Sequence, residues 1–134
     1  NLLFKWVPVH QRIMVYADKT QLNRLFTNLL QNALEACVGL EKRVISVSEE
    51  LTGEFIIVKV SDNGEGIPEQ MKSKIFMPNF TTKSSGTGLG LAMSKTIVEQ
   101  AQGKIWFETK VGEGTVFYVE LPVLRATATA AAIA

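Results

Sequence analysis

The sequence predicts an α/β fold, a two-layer α/β sandwich with a mixed β-sheet. Three observations predict it. Strand-like segments come as neighbouring pairs, 43–50 with 54–61 and 104–110 with 114–122. Two stretches have helical spacing, 19–38 before the first pair and 89–102 between the two. Hairpins with helices between them favour helices laid on one sheet, and a fully wound parallel sheet fits less well. At 134 residues the chain suits a single domain with one core, expected over residues 1–122. Residues 123–134, rich in Ala and Thr, read as a flexible tail.

Each element has its own reason. Residues 11–17, "QRIMVYA", are rich in β-formers and read as a strand. Asp18 reads as a helix N-cap, because its carboxylate can accept from the free amides of a first turn. Leu22, Leu25, Phe26, Leu29, Ala33 and Ala36 then recur at helical spacing, and Gly39 marks the stop. "RVISVSEE" and "EFIIVKVS" alternate around "LTG" as a hairpin. A short helical piece is expected near 68–74, a helix from Leu89 to Gln102, and two strands around "VGEG". On the strand 104–110, Trp106 and Phe107 must point to opposite faces.

Composition narrows the function. Hydrophobic residues make up 46% and charged residues 20%, so the chain is globular rather than disordered. Fourteen basic groups against thirteen acidic ones leave a net charge of +1, a near-balance that gives no hint of a surface for nucleic acid or a membrane. One cysteine, Cys37, builds no disulfide framework and fits a reducing, cytoplasmic setting. No apolar run has the length of a membrane span. The start "NLLFKW" lacks an initiator Met, so the chain is expected to be a piece of a longer protein.

Three stretches carry chemistry. Asn28 and Asn32 lie four apart, on one face of the first helix. Asparagine is a mediocre helix former, and two in an apolar helix need partners. A solvated polar face is the plain reading. A ladder facing a ligand is the sharper one, because an amide oxygen can coordinate Mg²⁺ and an amide NH₂ can donate to phosphate. In "SDNGEGIP", Asp62 ends a strand, and the residues beyond it, "IPEQMKSKIF", make no returning strand, so the "NG" is a loop rather than a hairpin turn. A carboxylate there can accept from an exocyclic amine such as adenine's. In "SSGTGLGLAMSK", glycines run straight into a helix, which leaves amides and the positive helix end pointing outward, a cradle for phosphate. The stretch spells neither the Walker pattern nor the dinucleotide pattern.

"NLLQNALEA", "SDNGEGI", "IFMPNFTTK", "GTGLGLA" and "GEGT" occur in this order. Together they resemble the catalytic ATP-binding domain of two-component sensor histidine kinases, within the superfamily that includes gyrase, heat-shock chaperones and mismatch-repair ATPases. The resemblance spans about residues 12–122 and implies the Bergerat ATP-binding fold. It gives Mg²⁺ to Asn32 and phosphates to Asn28. It matches Asp62 to the aspartate that binds the adenine amino group. Gly64, Gly66 and Ile67 become the first glycine box, against which the base would lie, and Thr115 the hydroxyl that joins the adenine side through water. Phe76 and Phe80 resemble the phenylalanines that pin one end of a lid, and Lys83 would reach the terminal phosphate. Gly86, Thr87, Gly88, Leu89 and Gly90 match the second glycine box, whose amides hold phosphates. Asn28, Asn32 and Lys83 form the implied catalytic set.

The implied activity is that of a protein-histidine kinase. It would bind ATP with Mg²⁺ and present the γ-phosphate to a histidine on a separate dimerisation and phosphoacceptor domain, and through that to a response regulator. The lone His10 resembles no phosphoacceptor, so the chain alone is not expected to phosphorylate itself. It is expected to be a monomer, cytoplasmic, in a membrane-associated parent. Two other readings stay open: a stand-alone superfamily ATPase or anti-sigma-type serine kinase, and a nucleotide sensor without catalysis. Hydrolysing relatives carry a glutamate base four residues before the Mg²⁺ asparagine. Here that position is Asn28, an amide without useful basicity.

Overall fold

The computed structural model describes residues 1–9, 13–78 and 90–124. Strand β1 is Leu2–Val7, β2 Arg43–Thr52, β3 Phe55–Asp62, β4 Lys104–Lys110 and β5 Gly114–Pro122. Helix α1 is Lys19–Ala36 and α2 is Gly90–Gln100, with a 3₁₀ turn at Glu69–Met71. The strands form one sheet in the order β1-β2-β3-β5-β4. β1 runs parallel to β2 and the other neighbours are antiparallel, so the sheet is mixed as the sequence predicts. A parallel pair needs a crossover, and α1 lies on that connection.

Local chemistry explains the element ends. Asp18 caps α1, with Oδ1 accepting from the Gln21 amide at 3.1 Å. Cys37 closes the helix, and Gly39 follows in the left-handed region at φ +91°. The β2–β3 hairpin pairs Thr52 with Phe55, and Gly53 supplies the positive φ of +58° that its two-residue loop needs.

The core lies between the helices and one sheet face. α1 contributes Leu25, Leu29 and Ala33, and α2 contributes Ile97 and Val98. Register brings Val60 opposite Phe117 and Ile56 opposite Leu121, all four buried. Burying a side chain of this size contributes about 1.5–3 kcal/mol. Phe76, Phe107 and Phe117 meet edge-on or tilted, with centroids 5.7–6.4 Å apart. Phe76 is half-buried and packs against the core through the other two rings. On the opposite sheet face Trp106 stacks on Tyr118 at 5.1 Å, so Trp106 and Phe107 do point opposite ways.

Two elements differ from the sequence reading. Residues 11–17 do not form a strand among their described members. Val15 makes one isolated bridge, to Val123, and the Leu124 amide donates to Met14 O at 2.7 Å. The described part of this segment thus meets the chain just beyond β5 and joins none of the five strands. The unexpected strand is β1, an edge strand whose six residues are all exposed. Among the described residues, no helix is long and apolar enough to cross a membrane.

Candidate functional site

The β3, β4 and β5 ends near Asp62 bring three polar side chains to one sheet face. Register places Asp62 opposite Thr115, and Thr115 opposite Thr109. Asp62 Oδ1 accepts from the Gly64 amide at 2.8 Å, which turns the chain sharply out of β3. Thr115 is buried, and its hydroxyl lies 2.8 Å from that of Thr109. The Ile67 amide donates to Thr109 Oγ1 at 2.9 Å, so the far end of the glycine loop is tied to β4.

Asn63 fastens the other side of this loop. Its Oδ1 accepts from the Val44 amide at 2.8 Å, and its Nδ2 donates to Lys42 O at 3.0 Å. Cys37 Sγ lies 3.5 Å from the same Oδ1. Cys37 is fully buried, and burial first, with the negative charge of Asp62 second, pushes its thiol pKa up.

The two loop glycines answer to the chain's own backbone. A Cβ on Gly64 would collide with the main chain of Ala36, at the end of α1. Gly66 has φ +78°, and a Cβ there would come within 2.8 Å of Val111 Cα. Close packing of the loop against α1 and the β4–β5 turn therefore already demands both glycines.

At the other end, α1 meets the start of α2. Asn28 Nδ2 donates to Gly90 O across a long 3.4 Å, and Ser94 Oγ donates to the same oxygen at 2.8 Å. One turn further along α1, Asn32 Nδ2 is buried with no hydrogen-bond partner among the described residues. An unsatisfied buried amide costs about 1–3 kcal/mol. Asn28 and Ala36 are eight helical positions, about 12 Å, apart along the axis. α1 thus connects the glycine loop to the start of α2, with Asn32 midway.

This arrangement offers unlike ends. Around Asp62 it presents acceptors, suited to a donating ligand edge. Around Asn28, Asn32 and the first residue of α2 it presents amides and a positive helix end, suited to anionic oxygens. Among the described residues no cluster of three His, Cys, Asp or Glu side chains could hold a metal. The orphaned Nδ2 is a donor that suits a phosphate oxygen, while the oxygen of the same amide could ligate Mg²⁺, which takes few protein oxygens and completes its shell with phosphates and waters.

The structure therefore gathers Asp62, Gly64, Gly66, Ile67 and Thr115 at one end and Asn28, Asn32 and Gly90 at the other. Phe80, Lys83, Gly86, Thr87, Gly88 and Leu89 lie outside the described residues, as does His10. Thr109 and Asn63 were missed. Each sits beside a glycine-rich turn, but nothing in one sequence separates such a Thr or Asn from an ordinary turn residue.

Comparison with known proteins agrees with this geometry. The profile of the histidine kinase-, DNA gyrase B-, and HSP90-like ATPase family matches residues 17–125. Sporulation kinase E of Bacillus subtilis is 36% identical over 109 residues, 81% of this chain and 15% of that protein. Sensor histidine kinase ZraS of Escherichia coli is 41% identical over 109 residues, 81% of this chain and 23% of its own length. The chain thus spans under a quarter of either relative. Among solved structures, the nucleotide-free catalytic domain of histidine kinase ThkA superposes with a TM-score of 0.80 at 39% identity, over 90% of this chain and 78% of that one.

Proposed function

Because this chain belongs to the histidine kinase-, DNA gyrase B-, and HSP90-like ATPase family, among histidine-kinase catalytic domains, we propose that it binds Mg-ATP and presents the γ-phosphate to a histidine on a separate domain. The observation that carries this reading is the orphaned amide of Asn32, one turn from the contact between Asn28 and Gly90. A buried donor without a partner is costly, and a bound ligand would relieve that cost. Amide oxygen and nitrogen exchange places by a flip, so the same side chain suits either a phosphate or a cation.

In this reading Asp62 accepts from the adenine amino group, with Gly64, Gly66 and Ile67 lining the base and Thr115 alongside. Asn28 and the amides from Gly86 to Gly90 hold phosphates, Phe80 pins the lid, and Lys83 reaches the terminal phosphate. Asn32 would hold Mg²⁺, which neutralises phosphate charge when bound. The chain's own residues position the nucleotide and exclude water, and a histidine imidazole from the parent kinase attacks the γ-phosphorus while ADP leaves. A response regulator would take the phosphoryl group next. The domain itself acts as a monomer over residues 1–122, on the cytoplasmic side of a membrane-associated parent.

Asn28 argues against the stand-alone ATPase. An amide abstracts no proton from water, so the triphosphate should persist until the histidine arrives. The test mixes this chain, γ-labelled ATP and the dimerisation and phosphoacceptor domain of a two-component kinase. Acid-labile label on that domain, lost in Asp62→Asn and Asn32→Ala, is expected. Steady release of phosphate into solution with no protein label would overturn the reading.

A further inference from the structure

We propose that Thr109 is a positioning residue that fixes the direction of the Thr115 hydroxyl. It thereby sets a preference for a base edge carrying an amine over one carrying a carbonyl. The proposal rests on the reading of Asp62 and Thr115 as the base-binding pair.

Proton accounting carries it. A threonine hydroxyl has one proton and two lone pairs. Thr109 Oγ1 has three neighbours: the Ile67 amide at 2.9 Å, Gly114 O at 3.2 Å and Thr115 Oγ1 at 2.8 Å. The amide can only donate, so it takes one lone pair. The carbonyl can only accept, so it takes the single proton. The second lone pair is left for Thr115, which must then be the donor. All three contacts are satisfied only in this arrangement. The reverse polarity leaves the Gly114 carbonyl without this donor and one lone pair of Thr109 idle.

Thr115 has then spent its only proton on Thr109. Toward a ligand it is an acceptor, and it faces Asp62 across the β3–β5 register. Two acceptors side by side favour an exocyclic amine and oppose a carbonyl oxygen. Without Thr109 the Thr115 hydroxyl is released to rotate and to donate, and it can then serve either edge.

The test is the affinity ratio of ATP to inosine triphosphate, which carries a carbonyl in place of the amine. It is measured calorimetrically for wild type, Thr109→Ser and Thr109→Val, with melting temperatures recorded without nucleotide. Wild type and Thr109→Ser should share one ratio, and Thr109→Val should lower it about tenfold, the value of one hydrogen bond. Thr115→Val should lower the ratio as well, and adding Thr109→Val to it should change the ratio no further. A merely structural role would weaken both nucleotides alike. Thr109→Ala removes the same hydroxyl with less bulk, so a Val variant that fails to fold leaves the test intact. An unchanged ratio in a folded Thr109 variant overturns the proposal alone. A wild type that binds neither nucleotide, or both equally, overturns the base-binding reading along with it.

Discussion

Asn28, in the middle of α1, donates its side-chain amide to the main-chain oxygen of Gly90, the first residue of α2, across 3.4 Å. Sixty-two residues separate the two in sequence. The contact fixes where the second helix begins relative to the asparagine ladder. A Cβ on Gly90 would meet Asn28 Cγ only at 4.0 Å, an ordinary contact, so packing against α1 does not by itself demand a glycine there.

Asn28→Ala cuts this tie on a half-buried surface. Affinity for ATP should fall about tenfold, in line with the loss of one hydrogen bond to an anion. The melting temperature without nucleotide should move little. Titration calorimetry beside a melting curve separates the two effects, and a large drop in melting temperature with affinity kept would contradict the assignment.

Asn32→Ala should divide stability from function. The buried Nδ2 has no partner among the described residues, so truncation removes a desolvation cost of about 1–3 kcal/mol and leaves only a small void. Without nucleotide, the melting temperature should hold or rise. The further stabilisation that Mg²⁺ adds to ATP should vanish. Thermal shift with ATP, with and without Mg²⁺, reads both arms.

Gly64→Ala should cost at least about 2 kcal/mol in urea unfolding, because the new Cβ has only the Ala36 backbone to displace. Gly53→Ala makes the control. Gly53 carries a positive φ, but a Cβ there meets nothing within 4 Å, so its cost should stay near 1 kcal/mol. A loss at Gly64 no larger than the loss at Gly53 would contradict the crowding against Ala36.

Cys37 should resist thiol reagents until the chain unfolds, since it is fully buried. Its pKa is raised by burial and then by Asp62, so the folded state holds the thiol proton more tightly than the unfolded state does. That stabilisation is complete below the unfolded thiol value of about 8.5 and is lost as pH rises through the folded value. Urea stability should therefore decline from about pH 8.5 upward. Cys37→Ala should flatten the decline until Tyr118, whose pKa is raised by its hydrogen bond to Glu108, adds a loss of the same sign at higher pH.

The sequence disclosed what periodicity can disclose. The β2–β3 and β4–β5 hairpins, the Asp18 cap and both helices followed from alternation, spacing and turn residues. β1 did not, because an edge strand exposed along its whole length has no inside to alternate with. The segment around Val15 misled for the converse reason. It has the residues of a strand, yet its described residues make a single bridge, to Val123, and join neither edge of the sheet. At the site, Asp62, Asn28 and Asn32 stood out because polar groups on apolar elements need partners. Gly64 and Gly66 stood out too, but their nearest constraint is the chain's own backbone. Thr109 and Asn63 act by joining strands and loops distant in sequence, and such pairings exist only after folding.

The central claim is that this domain holds Mg-ATP without spending it. Titration of ATP into the chain by calorimetry, with and without Mg²⁺, beside Asp62→Asn and with phosphate release followed in the same samples, tests it most directly. Binding that depends on Asp62, with almost no phosphate released, is the predicted result. Binding with sustained phosphate release, or binding indifferent to Asp62, would contradict it.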